Sequence, residues 1–476
     1  MRALNRAATV ALLGRGLFAF GCGDDGGGNG GGGDAGAGDA GAADARAADA
    51  TPTCENPGTQ ACSGDGNALE VCSGTGELTV EQCEYGCQAG ACNACTPSTI
   101  ACQDDAVVTC TANGDIEQSV ACALGCTADP DPRCLVLEPS NLPAATCDTA
   151  ANLDLIYADS AEIDTDTACT SLVVQADAPD ICVVRGRNVT IAAGVTIRVT
   201  GGRALAIVAT GDLTLDGTLD SSAIATGAGP GAVGDGIGGA GGVDGDGGGG
   251  AGHHTSGGMG GTGPLAGASG GVAGTSFGLD TLVPLRGGSG GGQAGGASQT
   301  QGGGGGGAVQ LVACGSLTIG GVIHVGGGGG EGGLGVLIDE PREAGGGGGS
   351  GGGVLLEAAV VNITGTLAAN GGGGGGGGVF GSENTPGQSG GNGADATASA
   401  TPALGGAGPF ESGDGGDGAA GTTGPEMGET PALSTGSGGG GGGAAGRIRL
   451  NVRAGTTPTV SGTVTPAASN GEVATH

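Results

Sequence analysis

The chain has 476 residues, of which 121 are glycine, and its formal net charge is −33. Tryptophan is absent and only two Tyr and five Phe are present, so any hydrophobic core must be aliphatic and thin. The sequence contains no lysine and therefore offers no basic patch that could displace counterions. This excludes nucleic acid, and a charge-driven contact with an anionic membrane, as partners.

Residues 1–21 are typical of a signal peptide, since Arg2 and Arg6 precede an apolar stretch that is too short to span a bilayer as a helix. The stretch ends in Ala19-Phe20-Gly21-Cys22, which resembles a bacterial lipobox. The resemblance implies that Cys22 carries a lipid and attaches the protein to a membrane. An ordinary signal peptide, cleaved nearby, is the alternative. Residues 22–53 are almost entirely Gly, Ala and Asp and are expected to form a disordered tether.

Twelve of the seventeen cysteines lie close together and form an internal duplication, with corresponding members 38 to 42 residues apart. The first set is Cys54, Cys62, Cys72, Cys83, Cys87 and Cys92, and the second is Cys95, Cys102, Cys110, Cys122, Cys126 and Cys134. We expect two disulfide-rich modules, residues 54–92 and 93–134, each too small to fold on a hydrophobic core alone. Six cysteines allow fifteen pairings, so spacing leaves the connectivity open.

The cysteine content predicts an oxidising, extracytoplasmic compartment. The pair Cys92 and Cys95 suggests zinc, but it straddles the boundary between the modules and neither module contains histidine, so no metal is expected. The layout resembles small disulfide-rich repeats of bacterial and animal surface proteins, which implies a spacer or a protein-binding module.

A second repeat begins near residue 183 and places a fixed glycine between two short apolar strands. Its anchors, Ile191, Leu215, Ile319, Ile363 and Val460, are separated by 24, 104, 44 and 97 residues. Twenty-four residues is the size of one coil of a parallel β-helix, so residues 183–468 are predicted to form about five rungs. Residues 135–182 are then a connector and cap, and residues 469–476 a tail. The fold class is all-β.

The extra residues in the longer separations form glycine-rich insertions near 225–304, 328–347 and 372–444. They all enter between the corner strand and the next long strand, and should therefore emerge along one edge. Disordered chain and packed, extended glycine helices are both possible, and disorder is favoured. Removal of residues 225–304 should consequently leave the fold intact.

This region resembles pectate-lyase-like β-helices in its rungs and glycine-rich (PGRS-like) bacterial surface proteins in its insertions. The resemblance implies a lipid-anchored structural or adhesive protein of the outer membrane or cell surface, whose ligand the sequence does not identify. The alternative is a β-helix polysaccharide lyase or hydrolase. The sequence favours the first, because the rungs carry only scattered carboxylates, and the second rests on the fold alone. No cofactor is expected.

Three further patterns are weak candidates for chemistry. Asp212, Asp216 and Asp220 recur across a turn, and turn roles are expected for them rather than catalysis. His253 and His254, with Asp244 and Asp246, would make an unselective metal site. Residues 390–395 match a single calcium-binding nonapeptide, without the tandem copy that such sites need.

Overall fold

The computed structural model of the chain describes residues 53–295 and 300–476. The predicted signal peptide, Cys22 and nearly all of the predicted tether lie outside the described residues. Regular structure in the described part is almost wholly β, with one short 3-10 helix, Ala144–Cys147. None of its helices has the length and hydrophobicity needed to cross a bilayer.

The described residues divide into two compact units, residues 53–59 with 71–79, and residues 60–70 with 80–476. The smaller unit is closed by the Cys54–Cys72 disulfide, and the N–H of Gly58 donates to the carbonyl oxygen of Cys72 at 2.9 Å. Apart from residues 53–59 and 71–79, all the features described below lie in the larger unit.

The cysteine-rich region consists of ten short strands. They are β1 (Gln60–Cys62), β2 (Ala68–Cys72), β3 (Leu78–Gln82), β4 (Cys87–Gln88), β5 (Ala91–Cys92), β6 (Ile100–Gln103), β7 (Ala106–Cys110), β8 (Ile116–Ala121), β9 (Cys126–Thr127) and β10 (Arg133–Cys134). In the second module β6, β7 and β8 form an antiparallel sheet.

The six disulfides of this region follow one order in both modules. In each, the first cysteine pairs with the third, the second with the fifth, and the fourth with the sixth. The pairs are Cys54–Cys72, Cys62–Cys87 and Cys83–Cys92, then Cys95–Cys110, Cys102–Cys126 and Cys122–Cys134. No disulfide joins one set to the other, since these six use all twelve cysteines.

The remaining four cysteines also pair, so that all sixteen cysteines of the described residues form eight disulfides. Cys169 bonds to Cys182 close to it in sequence, and Cys147 bonds to Cys314 across a separation of 167 residues. Disulfides in this number are typical of an extracytoplasmic protein.

Three parallel ladders of strands make up the main body. Ladder A contains β15 (Ile181–Gly186), β18 (Ala204–Ala209), the first halves of β21 (Ala308–Ile319) and β23 (Gly353–Ile363), β25 (Arg447–Val452) and β28 (Ser469–Glu472). Ladder B contains β12 (Leu155–Tyr157), β16 (Val189–Ile191), β19 (Leu213–Leu215), the second halves of β21 and β23, and β26 (Thr459–Val460). Ladder C contains β13 (Ala161–Asp164), β17 (Thr196–Thr200), β20 (Thr218–Asp220), β22 (Val322–His324), β24 (Thr366–Ala368) and β27 (Thr463–Thr465).

The sequence anchors lie opposite one another in ladder B. Ile191 faces Leu215, Leu215 faces Ile319, Ile319 faces Ile363, and Ile363 faces Val460. The predicted correspondence of these five anchors is thereby confirmed. Between ladders B and C the chain turns at the fixed glycine, where a Cβ at Gly321 would lie 1.8 Å from the carbonyl oxygen of Gly217 in the tier before it. Only glycine, which has no Cβ, can occupy this corner position in successive tiers.

Ladders B and C begin one tier earlier than the sequence predicts. β12 pairs with β16, placing Tyr157 opposite Ile191, and β13 pairs with β17. Residues 155–164 therefore extend ladders B and C. Tyr157 and Ile191 are 34 positions apart, and the intervening segment includes β14 (Ser171–Val173), which is antiparallel to β15, and the Cys169–Cys182 disulfide. These additions hide the 24-residue spacing.

Residues 469–476, predicted as a tail, contain two strands. β28 joins ladder A, and β29 (Ala474–Thr475) pairs with β11 (Leu137–Glu138) in the connector. The His476 ring nitrogens lie 3.1 Å from the Glu138 carboxylate and 2.9 Å from that of Asp148. The C-terminal residues thus fasten the connector to ladder A.

The main core is aliphatic, as the composition requires. It is formed by inward-facing side chains of all three ladders, such as Leu205, Leu215 and Leu219, which are fully buried. The opposite face of ladder A is also buried, because Leu137, Leu142 and Leu285 cover it. This explains why β18 in ladder A is continuously apolar, whereas β19 in ladder B and β20 in ladder C alternate.

Candidate functional site

Three long insertions leave ladder C and return to ladder A, and together they form what we call the glycine bundle. They comprise residues 221–307, 325–352 and 369–446, with residues 296–299 outside the described part. Their main glycine tracts are buried, and every N–H of residues 345–352, 371–378 and 438–443 is hydrogen-bonded. The expectation that these insertions are disordered is therefore wrong.

Hydrogen bonds in the bundle repeat every three residues. In the tract from Gly345, the first, fourth and seventh N–H groups donate to residues 438, 441 and 444. The second, fifth and eighth donate to residues 331, 328 and 325, and the third and sixth to residues 292 and 289. Three residues per turn is the period of a polyproline II helix, which makes no hydrogen bonds within itself. Each tract is consequently held by three neighbours.

Glycine is required because the tracts approach so closely. A Cβ built at Gly347 would lie 2.0 Å from the carbonyl oxygen of Gly249, and one at Gly440 would lie 1.9 Å from that of Gly346. Similar overlaps recur through the tracts. The backbone of one helix fills the space that a side chain of its neighbour would take. The high glycine content of the tracts is therefore a requirement of their packing.

The three insertions depend on one another. Gly441 in the third donates to Gly248 in the first, and Gly347 in the second donates to Gly292 in the first. Removal of residues 225–304 would retain every ladder strand but leave these donors buried without acceptors. The expectation that this segment can be lost without consequence does not fit that arrangement.

Polar side chains in the bundle bind main-chain N–H groups. The buried Asp246 carboxylate accepts from the N–H groups of Val243, Gly263 and Ser269 at 2.6 to 2.9 Å. Asp395, in the stretch that resembles a calcium repeat, accepts from Ala225 and Gly329, each at 2.8 Å. These aspartates connect separate tracts.

His253 and His254 lie in different environments. His253 is fully buried and stacks on Phe277 with a centroid distance of 4.6 Å, and its Nδ1 donates to the carbonyl oxygen of Gly351 at 2.7 Å. Its Nε2 has no partner in the described residues, and burial lowers the pKa of His253 to about 4. His254 instead accepts from Arg447, which also contacts Asp280. No group of three or more His, Cys, Asp or Glu side chains in the described part could hold a metal ion.

Two of the three aspartates singled out in the sequence contact residues of neighbouring tiers. Asp212 accepts from the N–H and hydroxyl of Ser316 in the next tier, both at 2.8 Å. Asp220 lies between Arg198 and His324 in ladder C, 2.8 Å from the guanidinium and 3.6 Å from Nδ1 of the imidazole. Burial raises the pKa of Asp220, but contacts with His324, Ser222 and Arg198 outweigh burial and hold it well below its ordinary value.

Glu357, which is isolated in the sequence, is fully buried at the centre of a polar network on ladder A. It accepts from Gln310 at 2.6 Å and Asn451 at 3.0 Å, in the tiers before and after it, and from the hydroxyl of Ser140 at 2.5 Å. The Glu357 carboxyl group is thus surrounded by neutral hydrogen-bond donors. Through Ser140 it fastens the connector to ladder A. Sequence spacing gives no sign of Ser140, which lies 217 residues away.

The turns of the bundle farthest from the ladders form one continuous surface, which we call the distal tip surface. It consists of residues 334–342, 380, 409–411 and 431–435. Val336 bridges to Phe380, Phe380 donates its N–H to Thr435, and Ala432 donates to Glu411. The Arg342 guanidinium lies 4.3 Å from the centre of the Phe380 ring and donates to Gly436. These contacts hold turns of two insertions together.

Comparison with known proteins adds no relative. No family model, curated protein or solved structure matches the chain.

Proposed function

We propose that the protein is an exported, lipid-anchored structural or adhesive protein of the bacterial surface, in which a short parallel β-helix carries the glycine bundle. The arrangement of the three ladders favours a β-helix, because the chain passes through A, B and C in the same order in each complete tier. All strand pairs along the ladders are parallel. The eight disulfides support export.

The observation that carries the proposal is the joining of all three insertions into one hydrogen-bonded bundle. Insertions that serve as substrate-binding loops need mobility, whereas these cross-link one another and expose only their sides and turns. Such a body is suited to display a fixed surface in the protease-rich cell exterior. Its acidity, with a net charge of −33 over the chain, keeps a glycine-rich surface solvated.

Lipid attachment is tested by growing cells with labelled palmitate. We expect the wild-type protein to be labelled and the Cys22→Ser variant to be unlabelled, because only a mature N-terminal cysteine receives the lipid. An unlabelled wild-type protein contradicts the anchor.

Surface display is tested by adding protease to intact cells. We expect cleavage at exposed turns such as residues 382–385, while a periplasmic marker protein stays whole. Protection of the turns until the cells are lysed would contradict display at the surface.

A further inference from the structure

We propose that the distal tip surface is a docking site for a cationic, amphipathic segment of a partner protein, an inference that rests on the proposed surface role. The tip differs from the rest of the bundle in three respects: exposed apolar side chains, a strained aromatic residue, and uncompensated acidic groups.

The apolar groups of the tip are large and open to solvent. Phe410 is 84% exposed, Leu334 58%, Ile338 51% and Leu433 50%. Exposed apolar groups brought together on turns that are themselves hydrogen-bonded to one another are typical of protein interaction sites. The turns are pre-ordered, so binding costs little conformational entropy.

Phe410 is held outward by an unusual backbone conformation. Its φ of 47° lies in the left-handed region, which non-glycine residues rarely adopt. The other two described phenylalanines have partners, since Phe277 stacks on His253 and Phe380 lies under Arg342. Strain that presents a lone aromatic side chain is more typical of a binding anchor than of a structural residue.

Charge on the tip selects the partner. Asp339, Glu340 and Glu411 are exposed there, and none of them makes an ion pair within the described residues. Arg342 is the only cation of the tip segments and is partly covered by Phe380. A surface that is acidic and apolar at once complements a segment with Lys or Arg on one face and Leu or Phe on the other. It repels nucleic acid and acidic polysaccharide.

The experiment measures binding of synthetic peptides to the full-length protein purified in detergent. The probe is an 18-residue amphipathic peptide of Lys and Leu, compared with a scrambled peptide of equal composition and with one in which Glu replaces Lys. We expect the amphipathic peptide to bind best and its affinity to fall as salt rises. Equal binding of the scrambled peptide would overturn the proposal, since attraction would then be charge alone.

Variants locate the site. Phe410→Ala combined with Leu433→Ala should weaken binding by about tenfold or more. The control combines Leu404→Ala with Met427→Ala, which are 64% and 65% exposed but lie on tracts near the ladders, and should leave affinity unchanged. Equal losses in both variants would overturn the proposal.

Two other occupants are tested with the same variants. Concentration-dependent dimerisation of the protein that Phe410→Ala abolishes would assign the tip to a second copy, and binding of a neutral glycan lost in that variant would assign it to carbohydrate. Either result overturns the proposal. Because peptide binding needs neither a lipid nor a cell, its failure is distinguishable from failure of surface display.

Discussion

The N–H of Gly441 donates a 2.9 Å hydrogen bond to the carbonyl oxygen of Gly248, although the two glycines belong to insertions from different tiers. Contacts of this kind make the bundle a shared structure rather than three loops. Its stability should depend on the exclusion of side chains and on the presence of all three insertions.

Substitution of single glycines tests the packing. Gly347→Ala and Gly440→Ala should each reduce the free energy of unfolding by about 3 kcal/mol or more, because the new methyl group overlaps a neighbouring carbonyl group. The control is Gly424→Ala in the same bundle, where a Cβ meets nothing within 4 Å, and the expected change is below about 1 kcal/mol. Urea unfolding measures all three. Equal effects at the packed and open positions would contradict the packing.

Deletion of residues 225–304 tests the interdependence. The ladders should still fold, since the register of Leu215 with Ile319 needs none of these residues, but the remaining tracts should become sensitive to protease. The control deletes residues 382–385, a turn in which Ser382 and Thr385 pair only with each other, and should leave the tracts resistant. Resistant tracts after the large deletion would show that the insertions fold separately.

His253 should give the stability a dependence on pH. Its folded pKa is about 4 against an ordinary value of 6.5, so the unfolded chain takes up a proton in this window and the folded chain does not. Stability is therefore complete above pH 6.5 and is lost as the pH falls towards 4, by about 3 kcal/mol at 1.36 kcal/mol per pH unit. Urea unfolding at pH 7.5 and 4.5 should show that this loss is absent in His253→Gln. An equal pH dependence in the variant would contradict burial of the neutral ring.

The two isolated disulfides should differ in their contribution to stability. Cys147–Cys314 closes a separation of 167 residues and Cys169–Cys182 one of 13. Chain entropy predicts that replacement of the first pair by alanine costs about 5 kcal/mol and of the second about 3 kcal/mol. Calorimetry of the two double variants ranks them, and the reverse order would be inconsistent with an effect on the unfolded chain.

Sequence reasoning succeeds where side chains carry the pattern. Leu215 and Ile319 align because both are apolar and stand before the same corner glycine. It fails for the tier at Tyr157, where β14 and a disulfide interrupt the period, and for the bundle. A glycine tract has no side-chain pattern, and its order depends on partners such as Gly248 and Gly441, which are 193 residues apart. The His253–Phe277 stack and the tip around Phe410 arise from the same distant contacts and give no local signal.

Hydrogen exchange of the tract Gly371–Gly378 tests the central claim most directly. Every N–H in this tract donates to another segment, so its amides should exchange as slowly as those of β23 in ladder A. Exchange at the rate of an unstructured glycine chain, while β23 remains protected, would show that the bundle does not form and would remove the basis of the proposed surface.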